Sequence, residues 1–110
     1  MNNNPVATYL KLADFIREED SQCRQEVNTI CHGTRWFLTD DQENRRYERY
    51  LQMFDRITAE LKQAGINPKT LFPKGSKWRY DRKSERIMPL KNAWPDIESL
   101  LKHIEDSWNH

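Results

Sequence analysis

The chain has 110 residues, 36% apolar and 32% charged, with a net charge of +1; this is one domain's length with one modest core, which excludes two independent domains. Its apolar runs are far shorter than the ~20 residues that cross a bilayer, and Met1-Asn2-Asn3-Asn4-Pro5 has neither the basic start nor the apolar stretch of a signal peptide, so a membrane span and secretion are not expected.

The first segment runs from Asn4 to His32. Asn4 suits a helix cap and Pro5 the first helical position, where a missing N–H costs nothing. Val6, Tyr9, Ala13, Ile16, Asp20, Cys23, Val27 and Ile30 then repeat at alternating spacings of three and four, the seam of a helix packed on another helix. Asp20 breaks the seam within Glu18-Glu19-Asp20-Ser21. Asp20 or Ser21 can cap a second helix there, leaving a kink and one continuous helix equally open. Leu10, Leu12 and Phe15 lie off the seam, so the first half is expected to be buried on nearly all sides. Gly33 is the expected helix stop. Trp36, Phe37 and Leu38 form an aromatic linker, read as a plug over the end of a bundle.

Thr39-Asp40-Asp41-Gln42 opens the second helix with a capping box and acidic residues in its first turn. Its seam is Tyr47, Tyr50, Phe54, Ile57, Leu61 and Ala64, flanked by Leu51 and Met53. Gly65 followed by Ile66 is a Schellman stop, and Pro68 prevents continuation. Arg45, Arg49 and Arg56 are read as a solvated face, paired within the helix to Asp41, Glu48, Asp55 or Glu60.

The helical period is lost over 66–93. Asn67-Pro68 and Pro73-Lys74-Gly75-Ser76 are turn signals, with room for one helical turn from Pro68 to Phe72. Trp78-Arg79-Tyr80-Asp81 alternates as a strand does, and Arg86-Ile87-Met88 can pair back across Arg82-Lys83-Ser84 without the usual Asn-Gly or Asp-Gly turn. Pro95 then begins a last helix with Trp94, Ile97, Leu101, Ile104 and Trp108 on its seam and Leu100 beside them.

Charge is unevenly placed. Met1 to Gly65 carries nine Lys/Arg against eleven Asp/Glu, Ile66 to Trp94 eight against two, and Pro95 to His110 one against four. The basic stretch from Lys69 to Lys91 is therefore the candidate macromolecule-binding site, with Lys74, Lys77, Trp78, Arg79, Tyr80, Arg82, Lys83 and Arg86 as its contact residues. Arginines and aromatics supply most of the energy at such surfaces. Three other readings stand beside it. Cations interleaved with flat rings also suit nucleic acid. The stretch can instead be a solvated connection with Trp78 and Tyr80 turned inward, or it can dock on the acidic last helix. A degenerate helix-turn-helix over 58–72 is a second nucleic-acid route, although Leu61 is bulky at the closing position and Pro73 cuts the second helix short.

Enzyme chemistry finds little purchase. Cys23 and Cys31 stand about 12 Å apart along one helix, too far for a disulfide, and with His32 they do not converge as zinc ligands. They read as small core residues in the reduced cytoplasm. A nucleophilic Cys31 fails because its neighbour His32 points about 100° away, and Lys74-Gly75-Ser76-Lys77 lacks the first glycine and strand of a phosphate loop. No cofactor and no metal are expected. The expectation is an all-α bundle of three to four helices, with the first two antiparallel, the last closing against them and a short hairpin before it. A homodimer is slightly preferred to a monomer because apolar residues are scarce. The expected function is non-enzymatic binding of a macromolecule, a protein before a nucleic acid.

Overall fold

A computed structural model describes residues 5–32, 37–68, 78–89 and 96–108. The element order is α1 (Pro5–Ile30), α2 (Asp40–Gln63), β1 (Trp78–Asp81), β2 (Arg86–Pro89) and α3 (Ile97–Trp108). The protein is mostly helical with one antiparallel hairpin before the C-terminal helix, as the periodicity implied.

α1 is one uninterrupted helix of 26 residues. Asp20 does not cap a second helix, because its carboxylate is held within the helix by Arg24 one turn on, at 2.9 Å. Along the rest of the seam Ala13, Ile16, Cys23 and Val27 are buried and Tyr9 and Ile30 pack against the same core; the side chain of Val6 lies outside the described residues. The expectation of burial on all sides of the first half fails at Leu10, which is exposed. The helix ends at Ile30, short of Gly33: His32 takes the left-handed conformation at φ 51°, and its N–H bonds to the Thr29 carbonyl at 3.2 Å. Gly33, Asn4 and Trp36 lie outside the described residues. Phe37 is fully exposed, so it is no plug, while Leu38 packs against the core.

α2 begins with the complete capping box. Thr39 Oγ1 accepts from the Gln42 N–H at 3.1 Å and the Gln42 side chain accepts from the Thr39 N–H at 2.9 Å. The Gln42 amide nitrogen also donates to the Ile30 carbonyl at 3.2 Å, tying the end of α1 to the start of α2. Gly65, at φ 81°, closes α2 in a Schellman motif: the Gly65 N–H bonds to Lys62 O and the Ile66 N–H to Leu61 O.

The helices α1 and α2 run antiparallel, since Ile30, Glu26 and Glu19 meet Gln42, Arg49 and Arg56 in that order. These pairs correct the reading of the arginine face. Arg45 does pair within α2, with Asp41 at 3.9 Å, but Arg56 crosses to Glu19 at 3.3 Å and Arg49 crosses to Glu26. Glu19 is consequently buried. Two buried atoms of this interface, Asp20 Oδ1 and Arg49 Nη1, have no hydrogen-bond partner among the described residues. Cys23, between them, is free and buried, and burial pushes its thiol up to about 11.

α3 closes against α1. Ile97, Leu100, Leu101 and Ile104 are buried; Tyr9 donates to the Leu101 carbonyl at 3.5 Å, and Arg17 grips Glu98 through two bonds of 3.1 and 3.2 Å. Asp96 caps the helix by accepting from the Ser99 N–H at 3.2 Å. The core runs through all the elements, from Leu12 and Ile16 of α1 and Phe54, Ile57 and Leu61 of α2 to Ile87 of β2 and the buried face of α3.

Candidate macromolecule-binding hairpin

The hairpin is built from the alternation in the sequence. Trp78 pairs with Pro89, Arg79 with Met88, Tyr80 with Ile87 and Asp81 with Arg86. In an antiparallel ladder directly opposite residues share a face. Ile87 is completely buried and Tyr80 packs against the core beside it, so that face looks inward. Arg79, one position away, is exposed. Of the two strands it is β2 that packs on α2.

A long-range ion pair fixes the hairpin in place. Arg86 Nε donates to Asp55 Oδ1 at 3.0 Å and its Nη2 to Oδ2 at 2.8 Å, the two-pronged geometry that arginine makes with a carboxylate. The Asp55 contact raises the Arg86 pKa. Arg86 is thus held by α2, and the described basic stretch meets α2 while the acidic Glu98 of α3 meets Arg17.

At the tip, Asp81 supplies the turn chemistry that Asn-Gly would otherwise supply. Its Oδ2 accepts from the Ser84 hydroxyl at 2.6 Å and the Ser84 N–H at 3.2 Å. These bonds hold the Asp81 carboxyl below its ordinary value. Glu85 takes the left-handed position at φ 55° and returns the chain to β2. Desolvation, then the charges of Glu85 and Asp81, push the Tyr80 hydroxyl up.

Among the expected contact residues, Arg79, Arg82 and Lys83 are exposed. No ion pair engages these three among the described residues. Tyr80 is half-buried and Arg86 is paired, so both brace the hairpin. The side chain of Trp78, and the whole of Lys74 and Lys77, lie outside the described residues, as do Lys69, Lys91, Trp94 and the second half of the helix-turn-helix reading. Asp55 is the residue that sequence reasoning missed; it was read as a partner for an arginine of its own helix, and no local signal points it at Arg86.

No group of three His, Cys, Asp or Glu side chains placed to hold a metal occurs among the described residues. No described helix is long and apolar enough to cross a membrane. No family model, no curated protein and no solved structure matches the chain.

Proposed function

We propose that this is a small non-enzymatic interaction protein, regulatory in role, that binds an acidic surface of a partner protein through its hairpin. The observation that carries the reading is the contrast within one short element. Ile87, Tyr80 and the Arg86–Asp55 pair brace the hairpin on α2, while Arg79, Arg82 and Lys83 project from it with no ion pair among the described residues. A braced surface loses little conformational entropy on docking, so more of the contact energy appears as affinity. Two free, buried thiols suit a reducing compartment such as the cytoplasm. The uneven charge of the chain favours a local acidic contact over the broad basic footprint of a nucleic-acid domain, whose pI commonly exceeds about 9; here it is near 7.8.

Placing a photo-crosslinking residue at position 83, in cells of the source organism, tests this. Adducts with a protein are expected at position 83, absent from the same probe at Lys102 of α3 and lost when Arg79 and Arg82 become Glu. Equal adducts at both positions would overturn the reading. Binding of a labelled single-stranded RNA or DNA that falls steeply between 50 and 200 mM salt, and disappears in the same charge-reversed variant, would replace it with nucleic-acid recognition.

A further inference from the structure

The hairpin has two outer edges, and its chemistry makes them unequal. Opposed residues in an antiparallel pair alternate between doubly hydrogen-bonded and non-bonded pairs. Pro89 has no N–H, so the Trp78–Pro89 pair cannot be doubly bonded. The alternation then makes Arg79–Met88 and Asp81–Arg86 the bonded pairs. The backbone groups of Trp78 and Tyr80 consequently point away from β2, along the outer edge of β1. The corresponding edge of β2 has lost a donor at Pro89, a device that blunts a sheet edge, and β2 is the strand packed on α2. No residue other than those of β2 is hydrogen-bonded to the Tyr80 backbone among the described residues. The β2 edge is therefore blunted, and among the described residues nothing pairs with the β1 edge.

Resting on the protein-binding reading above, we infer that the outer edge of β1 receives an extended acidic segment of the partner as a third strand. Main-chain bonds to an exposed sheet edge provide affinity, and alternate side chains provide specificity. The charges around the edge define what the segment must carry. A residue set opposite Arg79 lies on the outward face, close enough for a cross-strand ion pair, and is Asp or Glu. Its neighbours lie on the side of Tyr80 and the core, and are apolar. Asp81, the other outward residue of β1, keeps its negative charge while Ser84 donates to it, so the partner residue set opposite Asp81 is uncharged, and the acidic residues are those opposite Arg79 and within reach of Arg82 and Lys83. Arg82 and Lys83 at the tip extend the positive surface beyond the end of the strand. The segment is thus an extended run in which apolar residues alternate with polar ones, acidic opposite Arg79 and uncharged opposite Asp81.

A library of synthetic ten-residue peptides tests the inference on the full chain: Glu or Thr alternates with Val or Ile, each peptide carrying at least one Glu, and control peptides carry Lys in place of Glu. The glutamate series is expected to bind and the lysine series to bind at least about tenfold more weakly, a difference removed by Arg79→Glu with Arg82→Glu. Methylating one alternate set of peptide amides should weaken binding about tenfold or more, and methylating the other set should not, because only one set faces β1. The Tyr80 amide should gain protection from hydrogen exchange in the complex. If binding depends on the arginines but both methylated sets bind alike, strand addition is wrong while the acidic-partner reading stands. Glutamate peptides that bind no better than lysine peptides would also overturn strand addition, and the crosslinking experiment then judges the broader reading separately.

Discussion

Arg86 and Asp55, 31 residues apart in the chain, form the two-pronged ion pair that locks the hairpin to the middle of α2. The pair is partly exposed, with side-chain accessibilities of 39% and 45%, so its energy is modest although its positional role is large. Removing either partner, in Arg86→Ala or Asp55→Ala, should cost about 0.5–1 kcal/mol in urea denaturation. The two together should cost less than the sum. Amide exchange should quicken at Arg79 and Met88 while α1 stays protected.

Ile87 is the other anchor and the stronger one. It is wholly buried, so Ile87→Ala should destabilise the protein by about 2–5 kcal/mol, removing apolar contact and leaving a cavity. Ile87→Val should cost about 0.5–1.5 kcal/mol. Equilibrium denaturation measures both.

Alkaline pH should weaken the fold through Cys23. Burial raises its thiol from 9.0 to about 11, so above pH 9 the unfolded chain loses a proton that the folded chain retains. Stability attributable to this thiol is complete below 9.0 and is lost as pH rises toward 11, at up to about 1.4 kcal/mol per unit. Cys23→Ala should flatten that limb of the stability profile. Ellman's reagent at pH 8 should leave Cys23 untouched until denaturant is added.

Ser84→Ala should release the Asp81 carboxyl. Its pKa, held below 3.8 in the folded chain by the Ser84 hydroxyl, should rise in a carboxyl NMR titration. The sign of the linkage follows: the stabilisation is present above 3.8 and is lost as pH falls through the lower folded value. The variant should therefore lose less of its hairpin order on acidification than the parent does.

Thr39→Ala removes one half of the capping box and should cost about 1 kcal/mol. Gln42→Ala should cost more than a surface substitution on the same helix, because Gln42 also holds the Ile30 carbonyl at the end of α1. Thermal denaturation of the two variants and their combination checks this.

What the sequence made legible was local. Thr39 and Gln42, Gly65 and Ile66, and the buried members of the three-and-four seams each signal through near neighbours and stand where the local pattern put them, while Tyr47 and Ala64, at the two ends of the second seam, are only half-buried. The alternation of Arg79 and Tyr80 likewise announced a strand, although the turn was closed by Asp81 and Ser84. The misreadings arise where a partner is distant. Asp20 left a helix break and one continuous helix equally open because an acid on an apolar seam demands an explanation, and Arg24 supplies one without interrupting the helix. Arg49 and Arg56 have acids nearby in their own helix, yet they reach Glu26 and Glu19 across the interface. Leu10 and Phe37 are apolar by composition and exposed in position. For the candidate site, the charge of Arg79, Arg82 and Lys83 was visible at once. The sorting of exposed cations from the braced Arg86 depended on Asp55, which only the fold brings near.

The contacts between α1 and α3 join residues separated by 81 and 92 positions, Arg17 with Glu98 and Tyr9 with Leu101. Those between α1 and α2 span less of the chain and need no help from residues beyond Gln63. Loop closure makes distant pairings slow, so the two long helices should dock first and α3 should arrive last. During synthesis, the apolar flank of α1 around Ile16 therefore waits for α3. In that interval the nascent chain presents its own unfinished core to solvent, and it is then that a chaperone has most to gain by binding it.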